Sequence, residues 1–317
     1  MTAPRAAVLL AVLGSLWLAP GGAGAAEPTE CRPVRFADIG WTDITATTSL
    51  ATVVLQGLGY KPSTTIASVP IAFTGLKKKS IDVFLGYWNP SMIPIIDPFL
   101  KEKAFEVLPA PNLSGAKYTL AVPTFVAEAG LKDFADIARF RKELDGRIFG
   151  IEPGNDGNAL IQKMIGANQF GLGGFRLVES SEAGMLVEVQ RAIDRHKFIV
   201  FLGWEPHPMN EKFKMTYLTG GDSVFGPNYG GAAIYTAVAN GYLQRCPNVG
   251  TLIRNLKFGL SMESQVMAPI LQKRDPVASA QDWLRANPAV LGNWLQGVQT
   301  FDGKDATSAV RAYLGIH

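Results

Sequence analysis

Two stretches of the sequence place a tryptophan directly after an apolar run. Residues 84–90 read FLGYWNP and residues 201–206 read FLGWEP, so Trp88 and Trp204 end similar phrases. Trp41 and Tyr118 also lie at the ends of apolar segments. Aromatic faces attract cations, and each face contributes about 0.5–2 kcal/mol. Four converging rings would suit a quaternary ammonium, whereas each tryptophan taken alone could equally be a packing residue.

Three polar residues accompany these aromatic residues. Asp43 lies two residues after Trp41, and Asn155 and Asp156 belong to the stretch EPGNDGNA at 152–159. Asp43 is either a helix N-cap or a carboxylate beside a bound cation. Asn155 and Asp156 either form a turn or hold a ligand hydroxyl. This loop contains no Lys or Arg, so it does not favour a phosphate ligand.

The sequence shows no catalytic motif. Its histidines, His196, His207 and His317, have no metal-ligand spacing with another His, Cys or carboxylate, and neither G-x-S-x-G nor a P-loop is present. We expect a protein that has no enzymatic activity and binds no metal or cofactor. We place His207, which lies between two prolines, in a surface loop. The alternatives are an exported enzyme, a sensor domain, and a binder of another small cation or of an amino acid. An amino-acid site would need an arginine at a strand end, but Arg35 and Arg176 lie in predicted strands.

The first 26 residues have the pattern of a secretory signal peptide. Arg5 precedes an apolar run at 6–18, and Ala23 and Ala25 form an A-x-A cleavage pattern. We therefore expect an exported, soluble protein that is not lipid-anchored. In an oxidising compartment Cys31 and Cys246 favour a disulfide, with two free thiols as the alternative. The balance of 30 basic and 27 acidic residues does not suggest a nucleic-acid partner.

The elements that must position these residues alternate between strand and helix. From Val34 to Trp88 the pattern reads β-α-β-α-β, which is typical of a mostly parallel sheet covered by helices. The alternation restarts at Tyr118, and residues 131–146 have the pattern of an amphipathic helix. In such sheets ligands bind beyond the carboxyl ends of the strands. We therefore expect Trp41 and Trp88 at the ligand edge.

The resulting prediction is an α/β protein of two lobes, each a mixed sheet flanked by helices. The chain would cross between the lobes twice, near 113–118 and near 218–226, where glycines permit hinge motion. After the second crossing the pattern turns helical, and we expect no further sheet unit there. The predicted boundaries are a signal peptide at 1–26, lobe I at 27–115 plus 216–317, and lobe II at 116–215.

The chain resembles the periplasmic choline- and betaine-binding proteins of ABC importers. The resemblance rests on ADIGWTDIT, DVFLGYWNPSM, YTLAVP, IEPGNDGN, FLGWEPHPMN and GGDSVFGPNYGG, in this order. It implies a type II periplasmic binding-protein fold, a disulfide between the two cysteines, and a monomer that serves an inner-membrane permease with a cytoplasmic ATPase. It also implies an aromatic box around a trimethylammonium group, with polar residues beside it. Carried over residue by residue, the box is Trp41, Trp88, Tyr118 and Trp204, and the polar residues are Asp43, Asn155 and Asp156.

The polar residues also indicate which quaternary ammonium ligand fits. Glycine betaine carries a carboxylate, whereas choline carries a hydroxyl. Asp43 and Asp156 would repel a carboxylate if they are ionised, while a hydroxyl can donate to either of them. We therefore expect choline, with glycine betaine, proline betaine or acetylcholine as the alternative ligands.

Overall fold

The strands of the protein form one continuous sheet in a computed structural model that describes residues 27–316. The predicted signal peptide lies outside these residues. The strands are β1 (Pro33–Asp38), β2 (Lys61–Ile66), β3 (Val83–Asn89), β4 (Phe105–Val107), β5 (Leu113–Pro123), β6 (Arg147–Phe149), β7 (Arg176–Val178), β8 (Phe201–Glu205), β9 (Met215–Tyr217) and β10 (Ala232–Ala239).

Helices cover the faces of this sheet. They are α1 (Thr42–Gly57), α2 (Val69–Lys77), α3 (Ile93–Lys101), α4 (Thr124–Glu128), α5 (Asp156–Gly166), α6 (Glu182–Asp194), α7 (Met209–Lys212), α8 (Asp222–Phe225), α9 (Pro227–Gly230), α10 (Tyr242–Arg245), α11 (Pro247–Asn255), α12 (Leu260–Leu271), α13 (Pro276–Ala286), α14 (Val290–Trp294) and α15 (Ala306–Leu314). Short 3-10 helices span Thr29–Cys31, Phe134–Phe140 and Gln169–Gly174. Within residues 27–316, no helix has the length and apolarity needed to cross a bilayer.

The sheet runs in the order β2-β1-β3-β10-β5-β8-β6-β7, and the long strand β5 joins its two halves. The first residues of β5, Leu113–Ala116, pair with β10, whereas Lys117–Ala121 pair with β8. We call the part built around β1 to β4 and β10 lobe I, and the part built around β6 to β8 lobe II. The β-α-β-α-β pattern of β1 to β3 is confirmed, with parallel pairing of β1 to both neighbours.

The C-terminal helices complete lobe I. Helix α1 packs against α12, α13 and α15, so its residues are buried along most of its length. The predicted disulfide is confirmed: Cys31 and Cys246 are bonded, with their Cα atoms 5.5 Å apart. This bond joins the start of lobe I to the turn between α10 and α11. The chain from residue 27 and the C-terminal helices are therefore joined to the part of lobe I that contains β1 to β3, by the disulfide and by packing.

Two local predictions are wrong. The region after residue 218 does contain a strand, β10, which pairs antiparallel with β3 and β5 in the middle of the sheet. Its sequence, AAIYTAVA, has only one strongly polar residue, Thr236, and its last four residues are all buried, so no polar–apolar alternation marks it as a strand. Residues 131–146 form a 3-10 helix at Phe134–Phe140 rather than an amphipathic α-helix. Phe134, Ile137 and Phe140 recur every third residue, which matches the period of a 3-10 helix.

Candidate functional site

A small cavity lies where the two lobes meet. It is lined by Trp41, Asp43, Trp88, Tyr118, Ile151, Asn155, Asp156 and Trp204. The structure thus brings all seven residues that the sequence singled out to one place. The eighth, Ile151, is an apolar residue just after β6 that sequence reasoning missed. None of the eight side chains is basic.

Strand ends position the aromatic residues. Trp88 is the penultimate residue of β3, Trp204 is the penultimate residue of β8, and Tyr118 lies on β5 directly opposite Trp204 in the ladder. The ring centroid of Tyr118 lies 5.8 Å from the ring centroid of Trp88 and 6.4 Å from that of Trp204. Trp41 precedes α1 in the N-cap position. The similar phrases at residues 84 and 201 therefore bring one tryptophan from each lobe to the same tyrosine.

Tyr118 is held by the start of α5. Its hydroxyl donates to Asn155 Oδ1 at 2.9 Å. The same oxygen accepts a hydrogen bond from the backbone N–H of Asn158 at 3.0 Å, which caps the helix. Burial first, and then the charge of Asp156, raise the pKa of Tyr118 well above its ordinary value. Gly157 approaches so closely that an added Cβ would collide with the Tyr118 hydroxyl. Asn155 therefore caps α5 and also holds the Tyr118 hydroxyl.

The two aspartates bring acceptors to the cavity. Asp43 lies in the first turn of α1, not at its N-cap, and its Oδ1 has no hydrogen-bond partner among the described residues. Asp156 Oδ1 accepts from Asn155 Nδ2 at 3.1 Å, while its Oδ2 has no partner within the described chain. Burial is the main cause that raises the pKa of Asp43 to about 7 and that of Asp156 to about 6. A ligand cation would stabilise the ionised form of both carboxyl groups, and a ligand hydroxyl could donate a hydrogen bond to an unpartnered oxygen.

Further carboxylates lie behind the rings. The Trp41 indole Nε1 donates to Glu152 Oε1 at 2.9 Å, and burial raises the pKa of Glu152 to about 7. The Thr42 amide donates to Glu182 Oε2 at 2.8 Å, and the Thr42 hydroxyl donates to Glu182 Oε1. Sequence reasoning missed these residues, although Glu152 lies within the motif IEPGNDGN.

The surface-loop prediction for His207 is wrong. Only 2% of the residue is exposed, and its Nε2 lies 3.0 Å from Glu182 Oε1. The Met209 amide donates to the other ring nitrogen, Nδ1, at 2.9 Å. The ring also packs against Trp204, with centroids 4.8 Å apart. The histidine therefore points inward, where both of its nitrogens are partnered.

These features define what the cavity can hold. The rings present π faces, the carboxylates contribute negative charge, and no lining side chain offers a cation to a ligand anion. Such an environment favours a compact cation whose charge is spread over methyl groups, because these groups need no hydrogen-bond acceptor. Within residues 27–316, no cluster of His, Cys, Asp or Glu has the arrangement of a metal site.

Comparison with known proteins gives consistent matches. The family model OpuAC, described as the substrate binding domain of ABC-type glycine betaine transport system, matches residues 32–286. A solved ABC-transporter choline binding protein in complex with choline is 55% identical, with a TM-score of 0.89 over 91% of this chain and 100% of that chain.

Two further matches agree with these. An ABC-transporter choline binding protein in an unliganded semi-closed conformation is also 55% identical, with a TM-score of 0.83 over 90% of this chain and 100% of that one. The glycine betaine/carnitine transport binding protein GbuC of Listeria monocytogenes is 27% identical over 164 residues, which are 52% of this chain and 54% of that protein. The predicted two-lobed type II periplasmic binding-protein fold is confirmed.

Proposed function

Because the chain belongs to the family of substrate-binding domains of ABC-type glycine betaine transport systems, we propose that it captures choline between its lobes and delivers it to the membrane permease of an ABC importer. One observation carries this proposal above the others. A single cavity combines four aromatic side chains with two buried aspartates and no basic residue.

The aromatic residues supply the site for the trimethylammonium group. Trp88, Tyr118 and Trp204 form a continuous set of rings, and Trp41 lines the same cavity from the start of α1. All four residues are at least nine-tenths buried, so their attraction for a cation is little screened by water. The methyl groups of choline would lie against these faces.

The polar end of the cavity favours a hydroxyl over a carboxylate. The unpartnered oxygens of Asp43 and Asp156 can accept a hydrogen bond from the choline hydroxyl. The carboxylate of glycine betaine would meet these same oxygens without any arginine or lysine to balance its charge. Asn155 Nδ2 already donates one of its two hydrogens to Asp156, so at most one N–H remains for such a carboxylate.

Glycine betaine is nevertheless the second candidate, because the matching family is described by that ligand. Proline betaine and acetylcholine share the same cationic group. Isothermal titration calorimetry with each of the four compounds separates them. We expect choline to bind most tightly, and tighter binding of glycine betaine would refute the choice of choline.

Substitution of the tryptophans tests the box itself. Loss of one desolvated aromatic face is worth about 1.4 kcal/mol, so Trp88→Ala or Trp204→Ala should weaken choline binding about tenfold or more. Trp283→Ala is the matched control, since Trp283 lies on α13 and is bonded to Gln265. Wild-type affinity in both tryptophan variants would refute the role of the aromatic residues in choline binding.

We propose the remaining roles on the same basis. The mature protein would act in the periplasm as a monomer after loss of residues 1–26, and its partner would be a permease with a cytoplasmic ATPase. Lobe I would comprise 27–115 plus 216–317, and lobe II 116–215. We expect no reaction, so choline incubated with the protein should be recovered unchanged.

A further inference from the structure

Helix α1 begins without a cap of its own. Its N-cap residue is Trp41, whose side chain makes no capping bond and whose indole can only donate. The first amide groups of a helix need acceptors, and its N-terminus favours negative charge. In this protein the acceptor for the first amide, that of Thr42, is Glu182 Oε2 at 2.8 Å. Glu182 lies 140 residues further along the chain and belongs to lobe II.

Glu182 is fixed within lobe II before it meets α1. It is the first residue of α6, where the Ser181 side chain caps the helix. His207 Nδ1 accepts the Met209 amide, so the ring hydrogen lies on Nε2 and points to Glu182 Oε1 at 3.0 Å. The Thr42 hydroxyl donates to this same oxygen. Glu182 is 5% exposed, and both of its oxygens serve as acceptors.

The start of α1 contributes two residues that line the cavity. Trp41 immediately precedes Thr42, and Asp43 immediately follows it, and both line the cavity. A second lobe II carboxylate, Glu152, accepts the Trp41 indole hydrogen at 2.9 Å. The contacts that join the lobes therefore also fix where the Trp41 ring and the Asp43 carboxylate stand.

We propose that Glu182 is a positioning residue that couples lobe closure to ligand retention by capping α1 across the cleft. We call Glu182, Thr42 and His207 the interlobe cap. This proposal rests on the proposed function, because it concerns the retention of the same ligand. The cap exists only when the lobes meet, so it should slow ligand release and leave ligand association unchanged.

Glu182→Gln tests the cap with almost no change in shape. A glutamine amide has one acceptor and one donor group. In one orientation its NH₂ faces the Thr42 amide, and in the other it faces the His207 Nε2 hydrogen. Either way at least one charge-assisted bond is replaced by two opposed donors. We expect choline dissociation to accelerate about tenfold, which corresponds to about 1.4 kcal/mol.

The experiment is stopped-flow tryptophan fluorescence with choline on the full mature chain. Thr42→Val removes the hydroxyl and keeps the amide, so it should accelerate dissociation less than Glu182→Gln does. The double variant should fall short of the sum of the two, because both changes break the same cluster. Glu188→Gln is the matched control, since Glu188 lies on the same helix and bonds only to Arg191 among the described residues. Thr42→Val keeps the test informative if Glu182→Gln fails to fold.

Small-angle X-ray scattering at saturating choline gives a second readout. The Glu182→Gln protein should retain a larger radius of gyration than the wild type, because its closed state is less favoured. Unchanged dissociation and unchanged scattering in both variants would overturn the proposal. Slower association with unchanged dissociation would also overturn it, since that pattern indicates a role outside the closed state.

The outcomes separate this proposal from the proposed function. If the wild type binds choline and Trp88→Ala abolishes tight binding, but Glu182→Gln matches the wild type, the cap alone is refuted. If the wild type does not bind choline, the proposed function fails and the cap fails with it as a device for choline retention.

Discussion

Acid should weaken choline binding, because the cavity contains two buried carboxyl groups with raised pKa values. Burial, followed by the charges of Glu182 and Asp38, raises the pKa of Asp43 to about 7. Burial raises the pKa of Asp156 to about 6. A bound cation favours the ionised form of both groups. Choline binding below these pKa values must therefore release protons.

The size of the effect follows from these two values. At pH 5, about two units below the pKa of Asp43, about one Asp43 side chain in a hundred is ionised in the free protein. If the complex needs the ionised form, this group alone weakens binding by at most about a hundredfold. Asp156 adds at most about tenfold by the same reasoning. We expect a loss of at least about tenfold between pH 8 and pH 5.

Calorimetry in two buffers of different ionisation enthalpy measures both the affinity and the protons released. Asp43→Asn should bind choline more weakly at pH 8 and should lose most of the pH dependence. Glu128→Gln is the control, because Glu128 is an exposed carboxyl at the end of α4. An affinity that stays constant within about twofold from pH 8 to pH 5 would refute the electrostatic account of the site.

Several other changes have defined outcomes. Gly157→Ala should weaken choline binding about tenfold by displacing Tyr118, whereas Gly166→Ala on the same helix, where an added Cβ meets nothing within 4 Å, should not; titration calorimetry measures both. Glu263→Gln should raise the thermal midpoint increasingly as pH rises from 5 to 8. Burial and the charge of Asp43 hold the pKa of Glu263 well above 4.5, so the folded wild type loses stability over that range as its unfolded chain ionises. Replacing Cys31 and Cys246 by serine should lower the free energy of unfolding by at most about 5 kcal/mol, as measured by denaturant titration, since the bond closes a loop of 215 residues.

Much of the fold could be predicted because local patterns mark its elements. Apolar runs before Trp88 and Trp204 identified β3 and β8, and the alternation from Val34 identified the parallel unit of lobe I. The motif resemblance is confirmed by the family match over residues 32–286. Strand β10 escaped prediction because a strand buried on both faces shows no alternation, and its central place in the sheet depends on pairing with distant strands.

The residues that line the cavity could be predicted from the sequence, but the hydrogen bonds that hold them in place could not. Residue type and strand position sufficed to select the aromatic residues and the aspartates. The bonds that hold them join residues far apart in sequence, such as Trp41 to Glu152 and Thr42 to Glu182. His207 shows the limit most clearly, since a histidine between prolines resembles a loop residue until the chain places it beside Glu182.

The central claim is that a positive charge is recognised by aromatic faces in a negative cavity. Titration calorimetry with choline and with 3,3-dimethyl-1-butanol, its uncharged carbon isostere, tests this claim most directly because the two ligands have the same shape and hydroxyl. Four faces at about 0.5 kcal/mol each predict that choline binds at least about thirtyfold more tightly. Equal affinity for the two ligands would contradict the account, because shape and burial alone would then explain binding.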